Sequence, residues 1–144
     1  DAGDEIKTFN SRDGHGMKLL MRAGIEVAIL TGRTSRVVEH RARELGITHV
    51  VQGARDKRVA LLDLAERIGI DPAAMAYMGD DVVDLPPMVL CGLTFAPADA
   101  VDMVRDRADV VTTLPGGRGA AREAIEVLLK RLGLFEKVME RYGV

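Results

Sequence analysis

The chain has 144 residues, 47% of them hydrophobic and 29% charged, and its twenty basic and twenty-two acidic side chains leave a net charge of -2. That is the balance of one soluble globular domain with one core, and it supplies no global field to draw nucleic acid or anionic lipid. No run reaches the about 20 apolar residues that span a bilayer. The single Cys91, in an apolar stretch, has no intramolecular disulfide partner and reads as a buried thiol in a reducing, cytoplasmic setting.

In chain order, Glu5 to Phe9 reads as a short strand, and Ser11 or Asp13 caps a helix running to Arg22 with Gly24 as its stop. Ile25 to Leu30 is a mostly apolar, β-branched run suited to a strand covered on both faces. Thr34 or Ser35 caps the next helix, whose Val37, Val38, Ala42 and Leu45 recur at helical spacing before Gly46 ends it. A short strand at His49 to Val51 follows, then a helix from about Asp56 to Ile68 and a turn at Asp71-Pro72. Met75 to Met78 is the next strand, followed by the Gly79-Asp80-Asp81 loop and a helix start at Pro86-Pro87. Leu93 to Ala96 and Asp109 to Thr112 are strands, separated by a short helix from about Asp99. Gly116-Gly117-Arg118-Gly119 opens a last long helix through Leu132. Such regular alternation with short connections predicts a Rossmann-like α/β domain, a parallel sheet between helices, spanning 1–144 without a domain boundary.

Three segments fall where βα units place polar groups at the carboxyl ends of parallel strands, the edge at which open α/β sheets bind ligands. Thr31-Gly32-Arg33 ends an apolar strand, so the Thr31 hydroxyl and the amides of the following turn can face one anion, and Thr31 reads equally well as a helix cap. Lys57 opens a helix, where a cation opposes the macrodipole unless an anion joins it. Gly79-Asp80-Asp81-Val82-Val83-Asp84 sets three carboxylates within five residues, and these repel one another unless a cation sits among them. A hard divalent ion takes one or two carboxylates, keeps waters and bridges to a phosphate. Asp80, nearest the strand end, is the expected ligand, with Asp81 and Asp84 as supports or caps. Asn10 to Gly16 reads as a donor-rich loop suited to a polyhydroxy acid, and Arg118 with its glycines suits a carboxylate or phosphate.

At these residues the chain resembles the haloacid dehalogenase-like phosphatases, specifically the cap-less 3-deoxy-D-manno-octulosonate 8-phosphate phosphatases. The resemblance rests on Phe9-Asn10-x-Arg12-Asp13-Gly14-x-Gly16, Gly24 through Arg33, Leu45 through His49, Ala76 through Asp81, and Gly116 through Ala120. It implies an Mg²⁺-dependent phosphomonoesterase of lipopolysaccharide sugar biosynthesis, with Thr31 binding the phosphoryl group, Lys57 neutralising it, and Asp80, Asp81 and Asp84 around the metal. Substrate contacts then map onto Asn10, Arg12, Asp13, Gly14, Lys18, Arg33 and Arg41, with Arg118 added from its loop. Lys18 stands where relatives often carry Arg, which removes a bidentate fork. The resemblance further implies a homotetramer in which one subunit's flap, including Glu5 to Phe9, and its carboxyl-terminal tail complete a neighbour's cleft.

One departure is large. The family's nucleophile and general acid are the two acids of an Asp-x-Asp motif on the first strand, and Asp1, Asp4 and Glu5 follow no apolar strand. The expectation is that this strand belongs upstream of Asp1 and that the chain as given is inactive. Two rivals stay open: a phosphatase acting on a nine-carbon acid such as N-acylneuraminate 9-phosphate, and a non-catalytic homologue serving as an oligomerisation or binding module.

Overall fold

A computed structural model of the chain describes residues 11–143. The expectations for Glu5 to Phe9 and Asn10 lie outside those residues. The elements run α1 (Ser11–Arg22), β1 (Ala28–Leu30), α2 (Arg36–Leu45), β2 (His49–Val51), α3 (Lys57–Ile68), β3 (Ala76–Met78), α4 (Leu85–Leu90), β4 (Leu93–Ala96), α5 (Asp102–Arg107), β5 (Val110–Val111), α6 (Ala120–Arg131) and α7 (Phe135–Met139). All strand pairs are parallel, which fits the predicted α/β class. They form two sheets, β1-β2 and β3-β4-β5. Among the described residues β1 pairs only with β2, and β3 only with β4.

Helices α2 and α3 begin and end on local chemistry. Ser35 Oγ accepts the Val38 amide, the Asp56 carboxylate accepts the Val59 amide, and the left-handed Gly46 and Gly69 stop the two helices. The first helix departs from its expectation. Ser11 to Gly16 is helical rather than a loop, and Asp13 reaches beyond its own helix. Its buried carboxylate instead accepts the Gly119 and Arg122 amides, at 3.3 and 2.9 Å, and so caps α6 from across the molecule. That tie seats α1 on α6 over Leu19, Leu20, Ile125 and Leu129, with Val27, Leu134 and Phe135 closing the cluster. Fully burying one such leucine stabilises a fold by about 1.5–3 kcal/mol.

The other boundaries moved for identifiable reasons. Ile25 and Val27 pack against side-chain clusters instead of extending β1. β5 is short because the Asp109 carboxylate turns back to the Thr94 amide and hydroxyl, at 2.8 and 3.0 Å, while Thr112 Oγ donates to the Leu114 carbonyl. Residues 116–119 form a turn, so α6 starts at Ala120. Glu123 fastens that turn by accepting the Thr113 and Leu114 amides and the Thr113 hydroxyl. No helix among the described residues is long and apolar enough to cross a membrane.

α7 and the turn after it were not anticipated. Tyr142 Oη lies 2.6 Å from Arg22 Nη1, which donates to it, and 3.0 Å from His15 Nε2. The hydroxyl thus joins His15 on α1 to the end of the chain described, beside four cationic side chains that disfavour a charged imidazole. Burial lowers the His15 pKa from 6.5, and Arg122, Arg22, Lys18 and Arg141 lower it further. A histidine depressed in the fold contributes stability that is fully present above its unfolded value and lost as pH falls through the folded one. Hydrogen-exchange protection of residues 135–142 is therefore expected to drop as pH falls below about 6.5. His15→Phe should abolish that dependence; a pH-independent protection factor in the wild type would exclude this latch.

Candidate active site

Thr31 and Gly79 each follow the last residue of a parallel strand, and two backbone links fix the Thr31 turn. The Thr31 amide donates to the Val51 carbonyl at 2.9 Å, and its carbonyl accepts the Ala54 amide at 3.0 Å. Thr31 Oγ accepts the Arg33 amide at 3.2 Å, so its own proton is left to donate outward. Ala54 lies three residues before Lys57, and this couples the tip of β1 to the start of α3.

Lys57 has the anionic partner its position demands. Its ammonium donates to Asp84 Oδ1 at 2.8 Å, with 13% of the lysine side chain and 4% of the aspartate's exposed. Tyr77 Oη donates to the same oxygen at 2.8 Å, and the Asp80 and Asp81 amides donate to Asp84 Oδ2 at 2.9 and 3.1 Å. Four donors thus converge on one buried carboxylate. Burial alone would raise its pKa, but Lys57, the Asp80 amide, Tyr77 and the Asp81 amide outweigh it and hold Asp84 ionised below the ordinary range. Burial and then the neighbouring Asp84 keep the Tyr77 phenol protonated, well above its ordinary value.

The reading of three carboxylates around one cation is therefore corrected. Asp84 points inward to donors, and Asp81 accepts the Val82 amide at 2.7 Å as a cap, within a reciprocal capping box completed by Asp84. Among the described residues no three His, Cys, Asp or Glu side chains converge as a metal cluster. Asp80 differs from both. Burial and then the Asp84 charge push its pKa up, so its carboxylate carries surplus negative charge that a cation would relieve. One such carboxylate, with waters and a substrate phosphate, is a donor set that fits a hard divalent ion. The loop that presents it is rigid: the Gly79 amide donates to the Phe95 carbonyl and the Asp80 carbonyl accepts the Val101 amide, at 3.1 and 3.0 Å.

The expected substrate residues divide. Arg12, Asp13, Gly14 and Lys18 all lie on α1, and Arg41 of α2 packs its guanidinium so closely over Gly14 that any Cβ there would collide with it. Asp13 also reaches the Gly116 to Gly119 turn, which carries Arg118. Arg33 and Arg118 are exposed, and no side-chain hydrogen bond among the described residues draws either guanidinium to the others. Tyr77 was missed, because an aromatic residue on an apolar strand is indistinguishable from core packing until its hydroxyl finds a charge.

A haloacid dehalogenase-like hydrolase model matches residues 3–92, well over half the chain, and the chain belongs to that family. Within it, the chain is 47% identical to 3-deoxy-D-manno-octulosonate 8-phosphate phosphatase KdsC of Escherichia coli K12, over 94% of this chain and 72% of that protein. The crystal structure of the phosphatase of that description from Yersinia pestis superimposes with a TM-score of 0.91 at 43% identity, covering 94% of this chain and 74% of that one. The Moraxella catarrhalis phosphatase, solved with magnesium, phosphate and the sugar acid KDO, gives 0.94 at 39% identity over 99% and 82%.

Proposed function

We propose that the protein removes phosphate from 3-deoxy-D-manno-octulosonate 8-phosphate with the aid of Mg²⁺. The observation that carries this reading is the Lys57 ammonium fixed 2.8 Å from Asp84 at the carboxyl end of β3, on the loop that presents Asp80. The Moraxella relative holds magnesium, phosphate and the same sugar acid, which supports both the ion and the substrate. In this reading Thr31 and the amides of its turn bind the phosphoryl oxygens, and Lys57 offsets their charge with the two N–H groups Asp84 leaves it. Asp80 holds the ion, with Asp81 beside it. When bound, Mg²⁺ offsets charge on the transferring phosphoryl group. Arg12, Arg33, Arg41 and Arg118, with Lys18, offer more cationic donors than one phosphate requires and suit the substrate's carboxylate. Asn10, Asp13 and Gly14 complete the proposed substrate wall.

The proposed nucleophile is the first aspartate of an Asp-x-Asp strand seated between β1 and β3. Its carboxylate oxygen takes the phosphorus, the sugar alcohol leaves with a proton from the second aspartate, and water then hydrolyses the aspartyl-phosphate. Self-association as a homotetramer is also proposed, supported by the exposed Val82, Val83, Val89 and Met103. A cytoplasmic setting fits Cys91, whose thiol burial pushes up to about 11 and keeps unreactive.

The test compares kcat/KM. The chain extended upstream through an Asp-x-Asp strand is expected to prefer the eight-carbon 2-keto acid phosphate over hexose phosphates that lack a carboxylate, and the chain beginning at Asp1 to release no phosphate. Equal kcat/KM for both substrate classes would remove the arginines from the reading. Hydrolysis by the chain beginning at Asp1 would remove the upstream nucleophile, and a preference for a nine-carbon acid phosphate would move the substrate.

A further inference from the structure

The ring of Tyr77 belongs to the core, packed against the cluster of Met88, Ala96, Ala100 and Val104. Its hydroxyl does something the ring does not need. It reaches out of that cluster to Asp84 Oδ1, the oxygen that also receives Lys57. A carboxylate oxygen has two lone-pair directions, and here one is taken by a phenol on a rigid strand, leaving the other for the ammonium. Oδ2 is meanwhile pinned by two loop amides, so the carboxylate cannot rotate. Lysine reaches its site on a flexible four-carbon stem with several rotatable bonds, and nothing in the stem itself selects one place for the charge.

We propose that Tyr77 is a positioning residue for phosphoryl transfer: by occupying one side of Asp84 Oδ1 and locking that carboxylate, its hydroxyl sets where the Lys57 ammonium stands. The inference rests on the phosphatase reading for its catalytic consequence, but the linkage of Tyr77, Asp84 and Lys57 stands without it. A misplacement of about 1 Å in a charge that acts on the transition state is enough to cost rate while leaving ground-state binding alone.

The experiment is Tyr77→Phe, which removes one oxygen and keeps the ring, in the protein carrying its Asp-x-Asp strand. With Mg²⁺ and the eight-carbon acid phosphate, kcat is expected to fall about tenfold with KM within about twofold of the wild type. In metal-free protein, acetic anhydride labelling read by mass spectrometry should acetylate Lys57 several times faster in the variant, relative to Lys130 and Lys137. On an Asp84→Asn background, Tyr77→Phe should cost nothing further, because the residue through which it acts is already altered. An unchanged kcat, or a fall in kcat that comes with a lowered thermal midpoint and an unchanged Lys57 labelling rate, would overturn the proposal in favour of a structural hydroxyl. A wild type without turnover would defeat the phosphatase reading, while the metal-free labelling would still decide whether Tyr77 holds Lys57.

Discussion

Asp80→Asn and Lys57→Ala are each expected to lower Mg²⁺-dependent phosphate release by about 10²-fold or more, the loss common when one electrostatic stabiliser is taken from a phosphoryl-transfer site. The two variants reach that result differently. Asp80 lies on a rigid loop with part of its side chain open to solvent, so its amide isostere removes charge while keeping the shape of the side chain. Lys57 is half of a nearly buried pair, and its removal leaves Asp84 with Tyr77 and two amides as its donors among the described residues. Asp80→Asn should therefore keep the wild-type melting temperature, whereas Lys57→Ala should lower it modestly. Turnover close to wild type in either variant would take that residue out of the proposed chemistry.

Gly79→Ala is expected to damage fold and activity together. A Cβ at Gly79 would lie 2.5 Å from Asp84 Cβ, 2.9 Å from Asp84 Cγ and 3.1 Å from Met88 Sδ, all in a packed region. Overpacking of this kind costs about 1–3 kcal/mol by itself. The neighbour that must move is also the acceptor for four donors, and each buried polar group left unpaired costs about 1–3 kcal/mol more. Against a total stability of about 5–15 kcal/mol, one added methyl group should lower the melting temperature by many degrees and leave little turnover. Thermal unfolding followed by circular dichroism, with phosphate release measured beside it, checks this. An alanine variant that melts and turns over like the wild type would show that the loop has slack, and the four-donor arrangement would then be no constraint.

The parts legible in the sequence are those written within a few residues. Ser35 and Gly46 set the ends of α2 through caps three or four residues away, α3 runs close to its expected bounds, and β2 and β4 fell on their expected residues. Thr31, Lys57 and Asp80 could be singled out as candidates because each sits at a strand or helix end. What stayed hidden depends on distant partners. Asp13 reads locally as a cap for its own helix, yet its acceptors serve amides more than a hundred residues away. Asp84 reads as a third acid beside a metal, and only the arrival of Lys57 from α3 and Tyr77 from β3 turns it inward.

The clasp between α1 and α6 also bears on how the chain acquires its structure. Asp13 bonds Gly119 and Arg122 at sequence separations of 106 and 109, and Tyr142 meets His15 and Arg22 at separations of 127 and 120. During synthesis, at about 5–20 residues per second, α1 emerges many seconds before the segment that covers Leu19 and Leu20 exists. Until then its apolar face has no native cover, and closing so long a loop must precede the contacts that reward it. The β2, α3 and β3 region, stitched by near neighbours, has no such wait. Docking of α6 onto α1 is thus expected to come late in folding, and the interval before it to be the one in which the nascent chain is most exposed to aggregation.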